Sequence, residues 1–149
     1  MIELSERVIR GPEAGGPPLD PHDGASAFLV AAGLILTSVR ADGVEGYIDL
    51  GEEHHQPWGI VHGGVYTTAV ESAASLGGAA FAAERGLLAV GVNNNTNFLR
   101  PLTSGRVDVT ARPLQQGRTQ QLWEVQIVDC AGHLIVTGQL RLANVAPPS

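Results

Sequence analysis

Lysine is missing from this chain. All nine basic residues among its 149 are arginines, so any basic contact to a ligand must come from a guanidinium, which binds phosphate in bidentate fashion. Basic charge is also short overall, with nine arginines against 15 acidic residues and a formal net charge of −6. That balance excludes general nucleic-acid binding. Cysteine is reduced to Cys130, which excludes an internal disulfide framework. No signal-peptide pattern opens the sequence, and a cytoplasmic protein is the simple expectation. A clean membrane span is missing too. The nearest stretch, Gly63–Ala83, is interrupted by Gly, Ser, Thr and a central Glu71, which makes it a poor one. Internal repeats are absent.

What is present suits one soluble globular domain. The length allows a real core, and 44% hydrophobic residues with a mean hydropathy of +0.08 fit that reading. Residues 1–22 read as a flexible N-terminal arm, with a short helical piece over Met1–Arg10 and a Gly- and Pro-rich stretch from Gly11 to Pro21. The domain proper is expected over 23–146. Asp23–Gly33 predicts a short apolar helix, with Asp23 near its cap and Gly33 ending it. Leu34–Arg40 and Val44–Leu50 predict two strands around the turn Ala41-Asp42-Gly43. Gly51–Trp58 predicts a loop. Its Glu52-Glu53-His54-His55 run matches none of the usual zinc spacings, so it reads as solvated side chains and no metal is expected.

The chain turns on the next stretch. Gly63 and Gly64 open a helix of small residues predicted to run to Arg85 and to stop at Gly86. A helix apolar nearly all round is a buried helix, and Glu71 is the lone charge in it as far as Ala83. Burying an unpaired carboxylate is costly, so Glu71 is either a hydrogen-bonded core residue or a functional group. Thr67, Thr68 and Ser75 lie three or four positions from Glu71 and share its face. Ser75 either orients the carboxylate or bonds back to the carbonyl of residue 71. The Gly63 and Gly64 N–H groups, at a positive helix end, suit a developing oxyanion.

Nine residues separate His62 from Glu71, which is about 180° and about 13 Å on a helix. One helix cannot aim both its N-terminus and its Glu71 at one small group. Two helices across a two-fold axis can. The pair Gly77-Gly78 costs about 1 kcal/mol per residue against Ala, and a second backbone coming close would account for it. A homodimer with composite sites is therefore expected.

After the helix, Leu88–Leu99, Arg106–Arg112, Thr119–Asp129 and His133–Asn144 read as four strands. Asn93-Asn94-Asn95-Thr96-Asn97 is unusually polar for one of them. Alternation would set Asn93, Asn95 and Asn97 on one face, either lining a channel or exposed on an edge strand. A hairpin, one long helix and four more strands give an α+β domain with a mainly antiparallel sheet.

Gln56-Pro57-Trp58-Gly59-Ile60-Val61-His62-Gly63-Gly64-Val65-Tyr66, with Glu71 nine residues after His62, resembles the hotdog-fold acyl-CoA thioesterases. Within them it is similar to the Arthrobacter-type 4-hydroxybenzoyl-CoA thioesterases and the related phenylacetate-pathway enzymes. The resemblance covers roughly Gly33 to Asn144. It implies a sheet wrapped around the central helix, and hydrolysis of an acyl-CoA with an aromatic or medium-chain acyl group. It implies no cofactor beyond the coenzyme A of the substrate, and a dimer of dimers. Glu71 would act as nucleophile or general base, with Gly63 and Gly64 polarising the carbonyl. Gln56 would bond the thioester carbonyl or the water. Trp58 would flank the acyl group, or simply pack in the core. His62 would support the turn. Asn93 and Asn95 would line the pantetheine channel. The turn Gly117-Arg118-Thr119 would meet the phosphates, with Arg100 a second candidate. A hotdog dehydratase or hydratase usually carries a different motif, and an acyl-CoA-binding sensor would leave Glu71 expendable.

Overall fold

The computed structural model describes residues 26–148. Helix α1 (Ala27–Ala32) leads into strands β1 (Leu34–Arg40) and β2 (Gly43–Leu50). A single 3-10 turn (Glu52–His54) and a loop then reach the long helix α2 (Gly63–Ala83). Strands β3 (Leu88–Phe98), β4 (Gly105–Gln116), β5 (Gln120–Asp129) and β6 (Leu134–Val145) complete the chain. All six strands form one antiparallel sheet in the order β1-β2-β4-β5-β6-β3. The sheet curls around α2, which touches every strand. This is the hotdog architecture expected from the sequence.

Period-two patterning explains the sheet. Val44, Ile48 and Leu50 on β2, Val107, Val109 and Ala111 on β4, and Trp123, Val125 and Ile127 on β5 are buried against α2. Their alternates face outward and pair across strands, as Asp49 does with Arg106 and Glu45 with Arg112. The Arg106 guanidinium beside Asp49 holds that carboxyl below the usual carboxylate range. On α2 the buried face is Tyr66, Ala69, Val70, Ala73, Ala74, Gly77, Gly78, Phe81 and Ala82, a helical stripe.

Gly77 and Gly78 have their reason inside the chain. A Cβ at Gly77 would run into the Trp123 ring and Val44, and one at Gly78 into Leu142. The sheet's own side chains, not a second backbone, demand the small residues. Behind them lies a buried polar chain. Trp123 Nε1–H donates to Gln121 Oε1 (2.9 Å), while Gln121 Nε2 donates to the Gly78 carbonyl (3.0 Å) and to Asn144 Oδ1 (2.7 Å). Asn144 Nδ2 in turn donates to the carbonyl of Gly117 (2.9 Å). Core and β4–β5 turn are thereby tied together.

Several local expectations are corrected. The first helix is capped by Ser26, whose Oγ accepts from Leu29 N–H, while Asp23 and the N-terminal arm lie outside the described residues. The long helix ends at Ala83, with Glu84 as its cap, two residues before Arg85. Gly86 then takes φ 66°, the left-handed conformation that stops a helix. The 51–58 segment is not wholly a solvated loop. His54 is buried, its Nδ1 accepting from the Gly51 N–H (3.1 Å), and its ring packs close over Gly33, where a Cβ would come within 3.0 Å of Nε2. Glu52 and Glu53 are exposed.

Candidate active site

Glu71 sits half-buried on the flank of α2 that faces β3, with no cationic partner among the described residues. Its Oε2 accepts from Asn94 Nδ2 (2.9 Å). The second N–H of the same amide reaches the Thr67 carbonyl (3.2 Å), and Thr96 Oγ1 donates to Asn94 Oδ1 (2.6 Å). Glu71 Oε1 lies over Gly91, where a Cβ would come within 2.7 Å of it. One neutral donor thus holds Oε2, and Oε1 keeps its acceptor capacity.

The polar strand keeps the expected alternation, with Asn93, Asn95 and Asn97 on one exposed face of an edge strand. Asn93 and Asn95 do not line the helix side of β3. They and Asn97 are exposed, while Asn94 and Thr96 face α2. The cause is a bulge. Gly91 pairs with Leu142 and Asn93 with Arg141, so Val92 is an extra residue in the ladder. One inserted residue reverses every side chain beyond it, and no local sequence signal marks the position.

The α2 N-terminus forms a second cluster. His62 caps it, Nδ1 accepting from the Gly64 N–H (2.8 Å). Gly64 therefore has no free N–H for a ligand, against the expectation that it would polarise a carbonyl, while the missing side chain of Gly63 makes room for the Phe98 ring. Thr67 and Thr68 turn their hydroxyls back onto the carbonyls of Gly63 and Gly64. Thr67 meets Asn94 through its carbonyl rather than its hydroxyl. Ser75 is half-buried and makes no hydrogen bond to Glu71 among the described residues. In the loop ahead, Gln56 Oε1 accepts from the Trp58 N–H, and the Gln56 N–H and carbonyl pair with Ile60 and Gly59. Trp58 is 86% exposed, which removes core packing as its role. Gly63 and Glu71 of one chain stay about 12 Å apart along the axis.

A third cluster lies at the far end of α2. A cleft of about 530 Å³ is lined by Phe81, Arg85, Leu87, Gln116, Gly117 and Arg118. Arg118 and Thr119 are exposed in the β4–β5 turn, which the Asn144 side chain holds. Arg40, Arg85, Arg106 and Arg112 are paired with carboxylates. Arg100 and Arg118 make no such pair among the described residues. Arg85, which stacks on Phe81 at 3.7 Å, was not singled out from the sequence. Only its place just beyond the helix end could have drawn attention to it.

Comparison with known proteins bears on the fold and the family. The thioesterase superfamily matches residues 59–136. The Mycobacterium tuberculosis protein Rv1847 is 46% identical over 118 residues, 76% of this chain and 82% of that protein. Its solved structure superposes with a TM-score of 0.79 at 41% identity, covering 83% of this chain and all 100% of that one. The proofreading thioesterase EntH of Klebsiella pneumoniae is 34% identical, covering 79% of this chain and 85% of its own. The 1,4-dihydroxy-2-naphthoyl-CoA hydrolase of Listeria monocytogenes is 32% identical, covering 74% and 89%. With a hotdog fold, a matching family and relatives that it covers over most of their length, this chain belongs to the thioesterase superfamily and is a thioester hydrolase.

Proposed function

We propose that the protein hydrolyses an acyl-CoA thioester to the free acid and coenzyme A, with Glu71 as its catalytic carboxylate. The observation that carries this is the state of Glu71: alone in charge along α2, half-buried, unpaired by any described cation, and steadied on one oxygen by Asn94. Glu71 either attacks the carbonyl carbon or takes a proton from the attacking water. In both routes a C–O bond forms, the C–S bond breaks, and sulfur leaves as the thiol of coenzyme A. In the first route water must then open the mixed anhydride, at either carbonyl, to release the acid and restore Glu71. Rapid quench separates the routes, because only attack by the carboxylate releases thiol ahead of free acid and leaves an acyl group on the protein.

The Gly63 N–H at the positive end of α2 polarises the carbonyl. Because it stands about 12 Å along the helix from Glu71 of its own chain, the site is composite, with Gly63 from one subunit and Glu71 from another. Two features support a homodimer. Strand β3 is a sheet edge with open backbone groups, and it exposes Leu88, Val90 and Val92, an apolar edge of the kind that pairs. A dimer of dimers follows the family resemblance. Gln56 and Trp58 flank the acyl end, while Arg118, Thr119 and Arg100 bind the phosphates. An aromatic acyl group is favoured by the similarity to a naphthoyl-CoA hydrolase.

Thiol release from a panel of aromatic and medium-chain acyl-CoAs tests this. Turnover with an aromatic member is the expected result. With a 2-enoyl-CoA added to the panel, loss of its enoyl chromophore without thiol release would point to a hydratase, and tight binding of the panel without turnover to a sensor.

A further inference from the structure

We infer that Asn94 is the positioning residue for Glu71, and that Thr96 sets the orientation of its amide. The inference rests on the catalytic reading of Glu71 above. Two acceptors face the Asn94 amide nitrogen: the Glu71 carboxylate (2.9 Å) and the Thr67 carbonyl (3.2 Å). Both N–H groups are thereby used. A flipped amide would set its carbonyl against two other oxygens, so the chemistry admits one orientation. Thr96 enforces the same one by donating its hydroxyl to Asn94 Oδ1 (2.6 Å). Every polar atom of the amide has a partner, and the chain Thr96–Asn94–Glu71 runs in one direction only.

Geometry limits what else this chain of bonds can be for. Asn94 binds α2 to β3 through the Thr67 carbonyl, yet that carbonyl lies inside the helix. A Leu at 94 facing Leu140 and a Val at 96 facing Gly138 would suit an apolar sheet face equally well. Instead two polar groups occupy the helix-facing positions, and both end on Glu71. The bulge at Val92 delivers them there, since uninterrupted alternation from Gly91 would have turned Asn94 outward. Gly91 completes the arrangement by leaving space beside Glu71 Oε1. The carboxylate is thus fixed through Oε2 and presents Oε1.

A positioned carboxylate alters turnover more than binding, because misplacement of a catalytic group by about 1 Å costs up to about 100-fold. The test compares wild type, Glu71→Gln, Asn94→Leu, Thr96→Val and the Asn94→Leu/Thr96→Val double variant. Each is assayed with an acyl-CoA that the wild type hydrolyses, and each is checked by thermal unfolding. Asn94→Leu is expected to lower kcat by about 10- to 100-fold with KM within about two-fold of wild type. Thr96→Val is expected to lower kcat by about three- to ten-fold. The double variant should be no slower than Asn94→Leu, since Thr96 acts only through Asn94.

Wild-type kcat in Asn94→Leu beside a dead Glu71→Gln would overturn the inference and leave the catalytic reading standing. A rise in KM with kcat intact would also overturn it, by making Asn94 a substrate contact. So would losses that multiply in the double variant. Turnover retained by Glu71→Gln would overturn the catalytic reading itself. Should Asn94→Leu fail to fold, Thr96→Val decides alone, and an unchanged kcat there overturns the inference.

Discussion

Gly77→Ala sets two effects of opposite sign against each other. Ala is the better helix former by about 1 kcal/mol at an interior position, and Gly77 lies well inside α2. Propensity alone therefore expects a more stable protein. The surroundings oppose it. The new methyl would meet the Trp123 ring, with Cζ3 2.7 Å away, and Val44 Cγ2 at 3.0 Å. Both neighbours are 0% exposed. The indole cannot swing aside cheaply, because its N–H is tied to Gln121, and Gln121 is tied to Gly78 and Asn144. Overpacking a fixed core costs about 1–3 kcal/mol, and breaking the buried indole bond costs about 1–3 kcal/mol more. The clash therefore wins by about 1–5 kcal/mol, or a fall in Tm of roughly 3–15 °C for a domain of this size. Circular dichroism melts at fixed protein concentration read this directly. An unchanged or higher Tm would refute the packing argument and show that the sheet yields to the helix.

Arg118→Ala should raise KM for acyl-CoA by about one to two orders of magnitude, since charge-assisted contacts contribute about 1.5–3 kcal/mol each. It should leave kcat nearly unchanged, because the phosphates are held equally in ground and transition states. An acyl-pantetheine should be indifferent, and equal damage to both substrates would make Arg118 a structural residue. Tyr66 buries a hydroxyl with no hydrogen-bond partner in the described chain, and burial pushes its phenol from 10.0 to about 12. The folded state favours the neutral phenol, so that contribution to stability is full below pH 10 and is lost as pH rises through about 12. Tyr66→Phe should flatten this alkaline loss and match or exceed wild type in Tm at neutral pH; a steep drop at neutral pH would reveal a partner for the hydroxyl. Mixing inactive Glu71→Gln with inactive Gly63→Val should restore activity through hybrid dimers, and no restoration, or a fully active monomer by light scattering, would contradict a composite site.

Much of the fold was legible because its signals are periodic. The alternation of Val107, Val109 and Ala111 fixed a face of β4, and the small-residue run marked the helix and set Glu71 apart as its one charged residue. What escaped was geometry that no periodic signal encodes. Val92 carries no sequence mark of a bulge, yet it exchanges the faces of Asn93 and Asn94. Gly77 and Gly78 pointed to a second backbone close by, whereas the close packing proved to be with Trp123 and Leu142 of the chain's own sheet. His54 looked like part of a charged loop until the 3-10 turn brought its ring inward over Gly33. The Gly63-Gly64 pair suggested two free N–H groups, and His62 took one of them by capping the helix it precedes.

The most direct measurement is the turnover of Glu71→Gln with an acyl-CoA that the wild type hydrolyses, alongside calorimetric binding of the same ligand. The substitution keeps the size of the side chain and its place beside Asn94 while removing the carboxylate. Turnover should fall by at least about 100-fold with Kd within about two-fold of wild type. A near-normal kcat would contradict catalysis by Glu71.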